Sequence, residues 1–468
     1  MFVGRKYELA ELERYYKEGS FNFSVFYGRR RVGKTTLINK FRENKRSIYF
    51  TAMETTAREN LDLLSVQILR LLAPQAPKNS FSSFLDAFEY CFKASAKKRL
   101  VLVIDEYPYL AESERSVSSL LQTLIDKYRE SSRLFLILCG SSMSFMENQV
   151  LGYKSPLYGR RTCQFKIQPF NYYESAQMLP AFNNVEKIML YGIVGGIPEY
   201  LSRVNNKLSL AQNAEALFFN PSGRLFEEPS NLLKQELQSP QTYNGIITAI
   251  ASGACKVNEI ASRAGIETSQ CSNMLGTLAI LGIVKKEYPA GSVKPSRKTI
   301  YRLSDNMFRF WYRFVLPELS RISMGYGKQA CAEIFGRPES GGVFETYMGP
   351  VFEDCSIQYL WRSAKNKSSF KYIGRWWGAN PKEKHEEEID ILAADGRGNT
   401  LFGECKWRNI RIGNDVLAEL IRKSGLFPDS LKKKYILFSK SSFSGELIKT
   451  ADQRGDTELV SLSDLLIE

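Results

Sequence analysis

Short apolar runs alternate with amphipathic segments through the first 150 residues of the chain. The apolar residues of the longer segments recur every three to four positions, as on one face of a helix. Alternation of this kind predicts a parallel α/β sheet. We expect strands at Phe23–Tyr27, Ser47–Thr51, Leu100–Ile104 and Leu134–Cys139, and helices that include Thr35–Arg42, Asn60–Leu72 and Ser116–Glu130.

The pattern changes beyond this region. It is mainly helical over Tyr172–Leu237, with an interruption at Gly195–Pro198. Over Gln241–Leu303 the spacing predicts helices on both sides of a turn at Gly265, then a basic hairpin and a strand, an order that predicts a winged helix. From about Gly341 we expect a helix, two strands around a glycine-rich turn, and further α/β structure.

The segment Gly28–Thr35 matches the pattern G-x-x-x-x-G-K-[ST] and lies between a predicted strand and a predicted helix. Its glycines let main-chain N–H groups wrap phosphates, and the helix N-terminus adds its positive dipole end. Lys34 is expected to contact the β- and γ-phosphates of ATP, and the Thr35 hydroxyl to bind Mg²⁺. The predicted nucleotide contacts are Gly28, Arg29, Arg30, Arg31, Val32, Gly33, Lys34, Thr35 and Thr36. A glycine-rich turn without a ligand is the alternative, and the strand–loop–helix context argues against it.

Two carboxylates, Asp105 and Glu106, follow the apolar run Leu100–Ile104 directly. Ligands bind at the carboxyl ends of strands in open α/β sheets. We expect Asp105 to hold the Mg²⁺ shell, and Glu106 to orient and polarise the attacking water. A solvated acidic turn is the alternative, and the neighbouring phosphate loop makes it the weaker one.

Further candidates follow the last predicted strand of this region. Ser141 lies just after that strand and can sense the γ-phosphate. Arg160 and Arg161 can supply the positive charge that stabilises the transition state of phosphoryl transfer. For the two arginines, a solvated basic turn remains an equally good interpretation.

The motifs of the first 240 residues resemble those of the archaeal-type ATPase family, which belongs to the STAND and AAA-like P-loop NTPases. The resemblance implies an adenine contact near Phe2–Arg5, and a turn at Gly196–Pro198 that couples the nucleotide state to a helical lid. It also implies a winged helix after the lid. The segments that carry it are Phe2–Arg5, Gly28–Thr35, Leu102–Glu106, Gly140–Ser142, Pro156–Arg161 and Gly195–Tyr200.

A second group of carboxylates lies on a predicted hairpin near the C-terminus. If the turn is centred near Arg397, Asp390 lies opposite Glu404, since both are seven residues from that centre. Opposed Cβ atoms lie about 5 Å apart, close enough for the carboxylates to share a divalent ion. Lys406 projects from the same face as Glu404 and can orient water or steady phosphate charge.

This Asp…Glu-x-Lys arrangement resembles the PD-(D/E)XK nuclease family, in which a preceding helix supplies another acidic residue, here matched by Glu353. The chain from about Tyr301 also resembles a nuclease-like domain of uncharacterised function often joined to archaeal-type ATPases. Ile389 stands where the family has a proline before the first aspartate. The alternatives are a nuclease fold that no longer cleaves, and an exposed charge pair between Glu404 and Lys406.

Polar and basic residues of the predicted winged helix point to DNA. Its second helix offers Thr268, Ser269, Gln270, Ser272 and Asn273 to base edges, and its hairpin offers Lys285, Lys286, Lys294, Arg297 and Lys298 to phosphates. The formal charge of +14, from 64 basic and 50 acidic residues, also favours nucleic acid as a partner. A packing or regulatory role is the alternative for this module.

Composition sets the remaining bounds. A chain of 468 residues with 44% hydrophobic residues predicts two to four globular domains. Its eight cysteines form no Cys-x-x-Cys pair, and its single histidine, His385, is expected at the surface. The longest apolar runs are too short to cross a bilayer, and the N-terminus lacks a signal-peptide pattern. We expect a soluble cytoplasmic protein without a membrane partner; a homo-oligomer stays open.

The predicted architecture is therefore an α/β P-loop NTPase with a parallel sheet and helical lid, followed by a winged helix and an α/β restriction-endonuclease-like domain. The expected boundaries are 1–170, 171–238, 239–305 and 306–468. The first functional hypothesis is an ATP-regulated, Mg²⁺-dependent DNA-processing enzyme. The second is an ATP-dependent regulator or scaffold that binds DNA or protein without cleavage.

Overall fold

A computed structural model describes residues 2–75, 80–292, 298–336, 342–367, 370–381 and 383–467. The chain divides into two compact units, Met1–Pro169 and Phe170–Glu468. Among the described residues, no helix combines the length and the apolar character needed to cross a membrane. The finer boundaries expected within the second unit remain predictions.

The first unit is built on a parallel sheet with strand order β2-β3-β4-β1-β5. β1, β3 and β4 are buried along their whole length, which explains why their sequences read as continuous apolar runs. The strands are β1 Asn22–Tyr27, β2 Ser47–Thr51, β3 Leu100–Asp105, β4 Leu134–Gly140 and β5 Cys163–Lys166. The four predicted strands are thus confirmed within one residue at each end, and β5 is an addition.

Helices pack around this sheet. They are α1 Lys6–Lys17, α2 Lys34–Arg42, α3 Ala57–Leu72, α4 Phe84–Lys97, α5 Tyr107–Ser113, α6 Val117–Tyr128 and α7 Met143–Phe145, with a π-helical turn at Met146–Val150. Side chains of Thr56 and Ser83 cap α3 and α4 by accepting bonds from main-chain N–H groups three residues on. The strand register sets Tyr27 beside Gly140 and Ile104 beside Leu138. The loops that follow β1, β3 and β4 therefore meet at one edge of the sheet.

The second unit begins with helices. They are α8 Tyr172–Gln177, α9 Asn184–Val194, α10 Pro198–Leu201, α11 Leu210–Phe218 and α12 Glu228–Glu236. Reciprocal capping boxes begin α8 at Asn171, α9 at Asn183 and α11 at Ser209. Gly196 is closely packed, because a Cβ at this position would lie 1.9 Å from the carbonyl oxygen of Phe170.

Three helices and a two-stranded antiparallel ribbon follow. They are α13 Pro240–Ala251, α14 Val257–Ala264, α15 Thr268–Ile280, β6 Val284–Glu287 and β7 Ile300–Leu303. β6 and β7 pair from Val284 with Leu303 to Glu287 with Ile300. Gly265 ends α14 in the left-handed conformation, at the turn expected from the sequence. Lys294 and Arg297 of the predicted basic hairpin lie outside the described residues.

An aromatic helical region connects this segment to the final sheet. It comprises α16 Asn306–Phe310, a π turn Trp311–Val315, a 3₁₀ turn Leu316–Glu318, α17 Leu319–Arg321, a π turn Ile322–Tyr326, α18 Gly327–Phe335 and α19 Val343–Lys367. Phe310 is fully buried, and its ring lies 5.1 to 6.5 Å from those of Phe218, Phe314 and Phe344. The aromatic segment Phe308–Phe314 therefore belongs to the hydrophobic core.

The final sheet has the strand order β12-β11-β10-β9-β8. β8, β9 and β10 are antiparallel neighbours, and β10, β11 and β12 are parallel. The elements are β8 Tyr372–Asn380, β9 His385–Ala394, β10 Asn399–Lys406, α20 Asn414–Ser424, β11 Lys432–Ser439, α21 Gly445–Arg454, β12 Thr457–Ser461 and α22 Leu462–Leu465. The predicted hairpin is thus β9–β10, and Gly396 and Gly398 take positive φ angles in its turn.

Candidate nucleotide and carboxylate sites

The loop Gly28–Gly33 follows β1 and leads into α2 at the sheet edge where β1, β3 and β4 end. Gly28 has a φ of +155°, and a Cβ there would lie 2.4 Å from the carbonyl oxygen of Ile167. Gly33 precedes α2 with a φ of +89°, which favours glycine. The Lys34 ammonium is buried and donates to the carbonyl oxygens of Gly28 at 2.7 Å and Arg29 at 2.9 Å. The loop therefore curls around the lysine at the start of a helix, the geometry that binds phosphate.

Arg5 braces this loop from the side, a role that the sequence did not reveal. Its guanidinium is 5% exposed and donates to the carbonyl oxygens of Val32 at 3.0 Å and Gln168 at 2.6 Å. It thereby connects the phosphate loop to the segment after β5. The resemblance implied an adenine contact near Phe2–Arg5. Nothing in the local sequence indicated that Arg5, directly before a helix, is buried and binds the phosphate loop.

Asp105 and Thr35 lie together beside the loop. The Thr35 hydroxyl donates to Asp105 Oδ2 at 3.1 Å, and the Tyr49 hydroxyl on β2 donates to the same oxygen. Burial raises the pKa of Tyr49, and the negative charge of Asp105 raises it further. Tyr49 therefore remains a neutral hydrogen-bond donor that orients the carboxylate. Thr35 and Asp105 are thus positioned to share the coordination shell of one cation.

Glu106 and Ser141 form a pair at the same edge. Ser141 is 4% exposed and donates from Oγ to Glu106 Oε2 at 2.9 Å. Glu106 has a φ of +50°, which is uncommon for a residue with a side chain and marks a constrained position. The carboxylate is consequently held between the strand ends, with its orientation coupled to Ser141.

The main chain of Arg160 and Arg161 lies toward the other edge of the sheet. They precede β5, and Thr162 bonds in both directions to Phe23 at the beginning of β1, whereas the phosphate loop follows the end of β1. At about 3.3 Å per strand residue, the two edges are about 16 Å apart. Arg160 is bound to Asp126 of α6 at 2.6 and 2.8 Å. The parallel pairing of β5 with β1 thus places the main chain of both arginines near the beginning of β1. Their role at the γ-phosphate, from the same chain or from a neighbouring one, stays a prediction.

The C-terminal carboxylates are brought together by the β9–β10 register. β10 pairs with β9 from Thr400 with Ala394 to Gly403 with Ile391, and the next step sets Glu404 opposite Asp390. Asp390 Oδ2 accepts a bond from the Cys405 N–H at 2.8 Å. Burial, together with the negative charges of Glu404 and Glu353, raises the pKa of Asp390 to about 7. Three carboxylates thus act on one another electrostatically.

Glu404 and Lys406 form a close pair, but Glu404 is buried. Lys406 Nζ donates to Glu404 Oε1 at 2.6 Å, and Glu404 is 7% exposed. Among the described residues, no hydrogen-bond donor reaches Glu404 Oε2, and Lys423 Nζ of α20 is 3.8 Å away. An exposed surface charge pair is therefore excluded. A buried carboxylate oxygen without a donor fits a cation ligand.

Glu353, on α19, is bound by a cation of β8. Its Oε2 accepts a bond from Arg375 Nε at 2.6 Å. The sequence predicted Lys406 near Glu404, and the structure adds Lys423. Arg375 could not be predicted from the motif, because it lies on β8, a strand that contributes no acidic residue to it.

The helix α15 presents its polar residues to solvent. Thr268, Ser269, Gln270, Ser272 and Asn273 are exposed. Lys286 and Lys298 of the ribbon are exposed as well, but Lys285 is bound to Asp354 at 2.8 Å and Glu287 at 2.7 Å. Lys285 is therefore corrected from a phosphate contact to a partner in an internal ion cluster.

Comparison with known proteins identifies the N-terminal unit. Residues 2–204 match an ATPase domain predominantly from Archaea. An uncharacterized protein of Methanocaldococcus jannaschii is 33% identical over 471 residues, which cover 99% of this chain and 100% of that protein. This chain belongs to the archaeal ATPase family. It carries the ATP-binding and ATP-hydrolysing domain of that family.

Three further similarities cover other shares of the chain. A shorter M. jannaschii protein described as ATP-binding is 61% identical over 46 residues, which cover 10% of this chain and 78% of that one. The Walker-type ATPase of Pyrococcus abyssi has a TM-score of 0.50 at 20% identity, with 67% of this chain and 96% of that one covered, and shares its fold. Residues 311–417 match a family described as archaeal and bacterial proteins of unknown function.

Proposed function

We propose that ATP turnover in the first unit controls a Mg²⁺-dependent, nucleic-acid-processing site in the C-terminal sheet. The observation that carries the second half of this proposal is the Asp390–Glu404–Lys406 constellation with its donorless, buried carboxylate oxygen. Glu404 Oε2 has Lys423 Nζ at 3.8 Å but no hydrogen-bond donor among the described residues, and a divalent cation would supply a direct ligand contact.

At the nucleotide site, Gly28–Thr36 cradle the phosphates and Lys34 neutralises charge on the β- and γ-phosphates. Thr35 and Asp105, whose oxygens lie 3.1 Å apart, would hold the Mg²⁺ that accompanies ATP. When bound, the ion would withdraw charge from the phosphate oxygens. Ser141, bonded to Glu106 at 2.9 Å, couples the state of the γ-phosphate to that carboxylate.

Hydrolysis then requires an oriented water. Glu106 accepts a hydrogen bond and the proton of a water whose oxygen forms a bond to the γ-phosphorus. The bond between that phosphorus and the β–γ bridging oxygen breaks, and ADP and phosphate leave. Arg160 or Arg161 would supply positive charge to this step, from the same chain or from a neighbouring copy.

At the carboxylate site, Asp390, Glu404 and Glu353 would hold Mg²⁺, and Lys406 would orient water toward a phosphodiester. The exposed face of α15, with Lys286 and Lys298, supports DNA as the substrate through base-edge and phosphate contacts. The alternative is an ATP-dependent regulator that binds without cleaving. The 2.6 Å bond of Lys406 to Glu404 favours it, since this bond occupies the lysine.

One experiment tests the proposal. Purified protein is incubated with plasmid and with single-stranded DNA in Mg²⁺ or Mn²⁺, with and without ATP, alongside Lys34→Ala and Asp390→Ala. We expect cleavage that is lost in Asp390→Ala and no longer depends on ATP in Lys34→Ala. Cleavage unchanged in Asp390→Ala would refute the nuclease role, and binding without cleavage would support the regulator.

A further inference from the structure

Six charged residues form an internal cluster between the ribbon and the carboxylate site. Three cations and three anions balance one another, so the cluster has no formal net charge. Its members come from β6, α16, α19 and β8, all in the second unit. They are Lys285, Arg309 and Arg375 with Glu287, Glu353 and Asp354.

Arg375 is the residue through which this cluster reaches the carboxylate site. It is 9% exposed, and its three nitrogens are directed to three carboxylates. Nε donates to Glu353 at 2.6 Å, Nη1 to Glu287 at 3.1 Å and Nη2 to Asp354 at 3.0 Å. One guanidinium therefore connects an acid of the β6–β7 ribbon with an acid of the proposed metal site.

Glu353 is a carboxylate for which Arg375 and a bound cation would compete. The helix that carries Glu353 packs against the end of β10, where the ring of Phe352 lies 5.3 Å from that of Trp407. The negative charge of Glu353 also contributes to the raised pKa of Asp390. Its Oε2 is nevertheless bound to Arg375. A cation bound by Asp390 and Glu404 must share Glu353 with that guanidinium, because a carboxylate held by arginine is a weaker ligand.

We propose that Arg375 is a positioning residue that competes with the metal for Glu353 and transmits the state of strand β6 to the carboxylate site. This inference rests on the proposed function of that site. If β6 moves, Glu287 separates from Arg375, and the positive charge of the guanidinium is less neutralised. The guanidinium then binds Glu353 more strongly, and the affinity of the carboxylate site for metal falls. Removal of the guanidinium frees Glu353, so metal affinity rises.

The test is Mn²⁺ binding to the nucleotide-free, full-length protein, measured by electron paramagnetic resonance and calorimetry. Binding at the carboxylate site is defined as the part lost in Asp390→Asn. We expect Arg375→Gln to strengthen that binding by about tenfold, the effect of one charge at hydrogen-bond distance on a carboxylate. Glu287→Gln, which acts on Glu353 only through Arg375, should weaken it by more than about twofold. Arg422→Gln is the matched control, since Arg422 binds Glu383, Glu387 and Glu419 outside the cluster.

A double-mutant cycle separates this route from electrostatics through space. In a Glu353→Gln background, Glu287→Gln should leave Mn²⁺ affinity unchanged, because the ligand through which it acts is gone. Melting temperatures show whether each variant is folded. If Arg375→Gln does not fold, Glu287→Gln alone is sufficient to test the inference. Affinity within twofold of the parent in Glu287→Gln, or an undiminished effect in the Glu353→Gln background, would overturn the inference. Equal Mn²⁺ binding by the parent and Asp390→Asn would instead refute the proposed metal site.

Discussion

Replacement of Asp390 by asparagine should stabilise the protein, and increasingly so as the pH rises. The asparagine carbonyl can still accept the bond from the Cys405 N–H, which is 2.8 Å from Asp390 Oδ2. The substitution therefore removes a charge from a buried group of carboxylates with little change in shape. Below the pKa of a free aspartate, both side chains are neutral and the two proteins should be equally stable.

The sign and size follow from the pKa of about 7 in the folded protein, against an ordinary value of 3.8. Because the folded-state pKa is raised, the folded state retains a proton that the unfolded chain releases, and stability is lost as the pH rises from about 4 to 7. At 1.36 kcal/mol per pH unit, the full cost is about 4 kcal/mol, more than half of which develops between pH 5 and 8. Asp390→Asn recovers that amount.

Thermal unfolding in EDTA at pH 5, 6, 7 and 8 provides the assay. The melting temperature of Asp390→Asn should exceed that of the parent by an amount that grows by about 5 °C over this range. Asp395→Asn, in the turn of the same hairpin, is the control. Hydrogen bonds from Asn399 and from the Arg397 N–H lower the pKa of Asp395, so its replacement should give no such gain. A difference between Asp390→Asn and the parent that does not vary with pH would refute the reasoning.

Three predictions concern the nucleotide site. Glu106→Gln should keep ATP binding and lose turnover by about 100-fold or more, as measured by phosphate release, because the water loses its base. Arg5→Ala should lower the melting temperature and weaken ATP binding by about tenfold or more, since two carbonyl oxygens lose a charged donor worth about 1.5–3 kcal/mol each; Arg14→Ala, on the exposed face of α1, is its control. Gly28→Ala should abolish ATP binding in filter or calorimetric assays, because its Cβ would lie 2.4 Å from the Ile167 carbonyl oxygen.

The sequence was informative where one physical constraint dominates. Strands buried on both faces must be apolar throughout, so β1, β3 and β4 were recognisable as runs. The two-residue period of a hairpin fixed the pairing of Asp390 with Glu404 once the turn was placed. β5 was missed because four residues with one buried side chain carry no apolar pattern.

Residues that act by long-range contact left no local signal. Arg5 contacts Gln168, and Arg375 contacts Glu287, at separations of 163 and 88 residues. Tyr49 reads as an ordinary strand aromatic, although its hydroxyl reaches Asp105. The position of Arg160 and Arg161 likewise depends on which end of β1 the following strand joins, which the local sequence does not show.

The energetics of the C-terminal site favour a ligand over a purely structural role. The buried charge of Asp354, in the same unit, is compensated: its pKa is held well below its usual range, and it has bonds to Lys285, Arg309 and Arg375. Asp390 has no such cation in hydrogen-bond contact among the described residues, and Glu404 retains an oxygen without a donor. A scaffold would be more stable with neutral side chains at these two positions. A divalent cation reverses that balance, because it favours the ionised form of both carboxylates at once.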